Sequence, residues 1–162
     1  NVQFELGKNL KFERSETPVS GGLPKGSMLL SIQGQKRAKD WSHPFDNRDN
    51  VAAFKLCKLD LSGVDKSRKL FFTAYGLLKF DKQSSAAQLR LVANGKAVNN
   101  VLGQPAYLAD NADHSYAWDI SEYAGSVVSL SLETALELVS NDCTLVSYEI
   151  AHEKDAYGNK HG

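Results

Sequence analysis

The chain has 162 residues, 42% of them apolar and 23% charged, a composition that excludes bulk disorder and suits one globular domain. Nineteen basic side chains balance nineteen acidic ones, so no net positive field draws a polyanion, and nucleic-acid binding through a basic surface is not expected. No apolar run approaches the roughly 20 residues that a membrane-spanning helix needs, so no membrane insertion is expected.

Strand signals recur in chain order. Val2–Glu5 and Leu10–Phe12 are short β-like runs, followed by a Ser/Pro/Gly loop over Ser15–Gly26 and a strand over Met28–Gln33 that Gly34 ends. Residues 35–50 form a long polar loop. Val51–Leu59 reads as a strand with Phe54 and Leu56 on one face and Lys55 and Cys57 on the other. Leu70–Phe80 is almost continuously apolar, as a strand covered on both faces requires. Leu89–Ala93 alternates cleanly into Asn94-Gly95, a strong hairpin signal.

A second long loop over Asn99–Asp113 precedes a strand at Tyr116–Ile120. Val128, Leu130 and Leu132 then alternate with Val127, Ser129 and Ser131. Single helical turns are expected at Ser121–Ala124 and Glu133–Leu138, and Thr144–Ile150 forms the last strand. The reading is an all-β chain, an antiparallel two-sheet β-sandwich of the jelly-roll kind, as one domain over 1–151 with a loosely ordered tail at 152–162.

Candidate binding residues sit mainly in the loops. Arg37 and Trp41 share one polar loop, where an indole face can stack on the C–H face of a sugar ring and a guanidinium can hydrogen-bond its hydroxyls. The competing role for Trp41 is a plug over the sandwich edge. Tyr75 stacks on a ligand if its strand face is open and joins the core if it is covered. Tyr107, beside Pro105, is a candidate wall of a binding site, whereas Trp118 is expected to close the core and Asp119 and Ser121 to brace the turn after it.

Catalytic and metal signatures are missing from the sequence. There is no nucleophile elbow, no phosphate-cradling glycine loop and no zinc-type histidine spacing, so the chain reads as a non-enzyme. Cys57 and Cys143 suit either one disulfide, worth roughly 4–5 kcal/mol by loop-closure entropy, or two reduced thiols. With Asn1 first and no leader segment, the expectation is a processed chain or a domain of a larger secreted or cell-surface protein.

Three segments carry a family resemblance: NVQFELGKNLKFE, GSMLLSIQGQKRAKDW and FKLCKLDLSGVDKSRKLFFTAYGLLKF. Together with the closing DCTLVSYEI they resemble the galactose-binding-like jelly rolls that serve as carbohydrate-binding modules in secreted xylanases and glucanases. The resemblance implies a non-catalytic module that binds a polysaccharide or oligosaccharide. Trp41 and Arg37 then match the aromatic and basic positions of the binding loop, and Tyr75 matches the stacking aromatic of the central strand. It also implies a structural calcium between the first and last strands, with Glu5 and Glu149 as the nearest side-chain matches. The chain departs from the family in carrying Tyr148-Glu149 where paired Asp residues are usual, and in its longer polar segment HPFDNRDN. The competing reading is a structural or protein-binding sandwich domain of a larger secreted protein.

Overall fold

The computed structural model describes residues 2–16, 28–34, 36–39, 42–56, 58–80, 87–108, 113–137 and 140–152. The strands in chain order are β1 (Val2–Leu6), β2 (Leu10–Glu16), β3 (Met28–Gly34), β4 (Val51–Leu56), β5 (Leu59–Asp60), β6 (Leu70–Phe80) and β7 (Ala87–Ala93). Then follow β8 (Lys96–Val98), β9 (Tyr107–Leu108), β10 (Asp113–Asp119), β11 (Val127–Val128), β12 (Leu130–Leu136) and β13 (Ser140–His152). Short 3-10 turns occupy Pro44–Asp46, Arg48–Asn50 and Ser121–Tyr123.

Two antiparallel sheets make the sandwich. The first has the order β1-β4-β12-β7-β8, with β9 also on β7; the second has the order β10-β6-β13-β3-β2. A small β11-β5 ribbon lies beside them. From β3 onward the long strands alternate between sheets (β3, β4, β6, β7, β10, β12, β13), the winding expected of a jelly roll.

Alternation in sequence becomes inside and outside in the structure. On β7, Ala87, Leu89, Leu91 and Ala93 are buried while Gln88, Arg90 and Val92 are partly exposed. One core forms where Phe54, Leu91, Leu130 and Leu132 of the first sheet meet Ile32, Phe72, Ala74 and Trp118 of the second. Burying side chains of this size stabilises the fold by about 1.5–3 kcal/mol each. Trp118 is fully buried and tilted against Phe72 at 5.9 Å, and Leu70 to Ala74 are all buried, as a strand covered on both faces requires.

The turns follow their residues. Asn94 and Gly95 take φ of 50° and 80°, the left-handed pair that a tight β7–β8 hairpin needs. Asp119 Oδ1 accepts hydrogen bonds from the backbone N–H and the hydroxyl of Ser121, bracing the turn after β10. The turn at Ser121–Tyr123 forms as expected, with Tyr123 packed on the core.

The helical turn expected at Glu133–Leu138 does not form. β12 continues to Leu136, with Glu133, Thr134 and Ala135 paired to β4 on one side and β7 on the other. Glu, Ala and Leu favour helix locally, but two flanking ladders and burial on both faces override so weak a preference. The last strand reaches His152, one residue into the segment expected to be tail; residues 153–162 lie outside the described residues.

Candidate functional site

Register alone lays out a polar surface on the outer face of the first sheet. One row runs Glu5, Ala53, Glu133, Arg90 across β1, β4, β12 and β7. The next runs Gln3, Lys55, Ser131, Val92. Because side chains two apart share a face, these rows stand side by side and floor a groove of about 560 Å³. That volume lies within the roughly 300–1,000 Å³ range of small-ligand sites.

Arg48 closes one end of the groove from the second 3-10 turn. Its Nη1 and Nη2 donate to the two carboxylate oxygens of Glu133 at 3.0 and 2.7 Å. Arg90, directly across the ladder, donates from Nε to Oε1 at 2.9 Å, with Nη2 2.8 Å from the same oxygen. The Arg90 guanidinium also lies 4.3 Å from the centre of the Phe45 ring, a cation–π contact that fixes its plane. Glu133 is 7% exposed. Burial alone would push its carboxyl up, but the hydrogen bonds and charges of Arg48 and Arg90 outweigh that and hold it below the usual carboxylate range.

The loop that carries Arg48 is held by buried polar contacts. The fully buried Asn50 donates from Nδ2 to the carbonyls of Lys36 and Leu136 and accepts from Asn9 Nδ2. Gly7 donates its N–H to the Val51 carbonyl, and its Cα rests against the carbonyls of Arg48 and Asp49, where a Cβ would collide. Beneath the first 3-10 turn, Phe45 packs with Val51, Ala106 and Ala135 as a second small core. Arg48 thus projects from a turn pinned on several sides.

Of the candidate site residues read from sequence, the structure describes the side chains of Glu5, Arg37 and Tyr107. Arg37 donates to Glu137 at 3.2 Å in an exposed pair at the end of β12, where Ala38 N–H also meets the Glu137 carbonyl. Trp41 lies outside the described residues, as does Cys57. Tyr75 has its backbone in β6, opposite Ser115 and Ser147 in the second sheet, away from the sheet that floors the groove; its side chain is not among those described. Of Cys143, likewise, the backbone alone is described, in β13.

Tyr107 turns its hydroxyl and ring toward the second sheet. Its hydroxyl donates to the Ala117 carbonyl and accepts from the Ala117 N–H, both at 3.1 Å, tying β9 to β10 across the sandwich. Its ring meets Tyr116 and Trp118 edge-on at 5.0 and 5.5 Å. Burial pushes its phenol up, the Ala117 bond offsetting part of that. Hydroxyl and ring thus brace β9 against β10.

Glu5 and Glu149 have their backbones in different sheets. Glu5 accepts from Lys55 Nζ at 3.0 Å on β1 of the first sheet, whereas Glu149 has its backbone opposite Thr73 in the second. No cluster of three or more His, Cys, Asp or Glu side chains able to share a metal occurs among the described residues. Glu5 lines the groove.

Sequence marks neither Arg48 nor Arg90, and marks Glu133 only as one of a Glu133/Glu137 carboxylate pair read as solvated, whereas Glu133 is buried. Alternation was the available signal: extending the Ser129, Ser131 face by one step places Glu133 on it, and the Leu89–Ala93 strand places Arg90 outward.

The sequence matches no family model and no curated protein. Among solved structures, the chain is similar to the CBM22-1 xylan-binding domain of Xyn10C from Paenibacillus barcinonensis. The match has 17% identity and a TM-score of 0.39, and covers 92% of this chain and 85% of that one.

Proposed function

We propose that this chain is a non-catalytic carbohydrate-binding module that holds a segment of polysaccharide along the groove on the first sheet. The carrying observation is the preset polar floor: Arg48 and Arg90 fix Glu133, with Lys55, Gln3 and Ser131 beside them. Sugar hydroxyls are recognised by such fixed planar groups, which lose little conformational freedom on binding. An open groove also admits a chain that enters and leaves the site. In this reading Trp41 supplies stacking and Arg37 a further donor, and the module works as part of a larger secreted or cell-surface protein.

A structural or protein-binding sandwich is the second reading, favoured by the exposed side chains of Leu102 and Leu108 at 68% and 67%. Affinity electrophoresis against soluble polysaccharides, xylan first, separates the two. The carbohydrate reading expects retardation that Arg48→Ala and Trp41→Ala each reduce while the fold persists. Migration unaffected by every polymer would overturn it in favour of the structural role.

A further inference from the structure

We infer that the groove selects a carboxylate-bearing sugar, a uronic acid residue, over a neutral one; this rests on the carbohydrate-binding reading above. The reason lies in how the guanidinium donors are used. Arg48 grips Glu133 end-on, spending one N–H from each Nη, and its Nη1 also donates to the Phe45 carbonyl at 3.3 Å. A guanidinium carries five N–H donors in a rigid plane. The Nε–H and the second Nη2–H of Arg48 form the remaining edge, and no acceptor among the described residues takes it.

Arg90 is used the other way round. Its Nε and Nη2 address Glu133 Oε1, the side-on edge, which leaves its end-on edge through Nη1 without an acceptor among the described residues. Glu133, meanwhile, receives four guanidinium contacts on two oxygens, so little of its accepting capacity is left for sugar hydroxyls. The Arg48–Glu133–Arg90 array is therefore rich in donors and poor in acceptors, the other acceptors of the groove being Gln3, Glu5 and the serine hydroxyls.

Charge points the same way. Within the groove, two guanidiniums against one carboxylate leave this array one positive charge, while Lys55 and Glu5 neutralise each other at the β1 side; Asp46, which also acts on Arg48, lies outside the lining. A planar, two-oxygen anion matches a two-donor guanidinium edge in both geometry and charge. A neutral sugar would leave those donors to water. Among acidic glycans, the flat carboxylate fits the fork better than a tetrahedral sulfate ester.

The experiment compares one glucuronoxylan before and after chemical reduction of its uronic acid carboxyls to primary alcohols, using affinity electrophoresis of the wild-type chain. The inference expects affinity about tenfold lower for the reduced polymer, and a loss of similar size in Arg48→Lys, which keeps the charge but not the fork. Equal binding of both forms overturns the inference and leaves the carbohydrate reading standing. Equal binding of a sulfated xylan overturns the carboxylate preference. Retardation by no polymer in either form overturns the inference together with the reading beneath it.

Discussion

Arg48 and Glu133, 85 residues apart, meet end-on with both guanidinium amines on both carboxylate oxygens. The pair joins a loop turn to the central strand of a sheet, and Arg90 completes it from the neighbouring strand. Glu133 is buried, whereas the Arg48 side chain is 54% exposed. The array is therefore half inside the protein and half presented to solvent. Burial keeps it ordered, and exposure lets it meet a ligand.

Replacing the carboxylate tests that dual role. Glu133→Gln puts an amide nitrogen, a donor, against guanidinium donors and removes the charge that compensates two cations. Removing one partner of a fully buried ion pair costs about 3–5 kcal/mol. Because Arg48 is partly solvated, the expected loss here is smaller, about 2 kcal/mol, read as a lower urea midpoint with an unchanged slope. The exposed Lys55 and Glu5 provide the contrast: Lys55→Ala should cost under about 1 kcal/mol.

Acid should weaken the fold through the same group. The Glu133 carboxyl titrates below its ordinary value in the folded chain, so the unfolded chain binds its proton first as pH falls. Its contribution to stability is whole above the unfolded carboxylate value of about 4.3 and is lost as pH drops through the lower folded value. Urea midpoints measured from about pH 6 to about pH 3 should therefore converge for wild type and Glu133→Gln. A gap that stayed constant over that range would show that the ionised carboxylate contributes nothing.

The fold was more legible in the sequence than the site, for a physical reason. Strand period, the Asn94-Gly95 turn and the apolar run over Leu70–Phe80 are local properties, and each formed where its residues indicated. The sandwich follows from burying those faces. The site depends on cross-strand register, which places Arg90 opposite Glu133, and on a loop that delivers Arg48 from far along the chain. No local pattern encodes either. The segment ETALEL even favours helix in isolation, which hid the continuation of β12 and, with it, the position of Glu133. Tyr107 drew notice as a loop aromatic, and its partner at Ala117 became visible once β9 and β10 were set in space.

Gly7 links the fold to the site by close approach. A methyl group there would meet the backbone carbonyls of Arg48 and Asp49, and neither can rotate away as a flexible side chain could. Gly7→Ala should push the Arg48 turn outward, costing more than about 1 kcal/mol in stability. It should also lower affinity for the polysaccharide, although Gly7 itself is not a lining residue. Wild-type affinity in the folded variant would show that the turn position does not govern binding.

Tyr107→Phe should do the opposite: weaken the fold and spare the site. The phenol bridges the N–H and carbonyl of Ala117, and its loss leaves two partly buried backbone groups without that partner. A cost of about 1–2 kcal/mol is expected, typical of losing hydrogen bonds in a semi-buried setting. The ring remains to pack edge-on against Trp118 and Tyr116, so the core is not emptied. Polysaccharide affinity should stay within about twofold of wild type, because Tyr107 does not line the groove. A large loss of affinity with unchanged stability would return Tyr107 to the binding surface, where a wall residue has its effect.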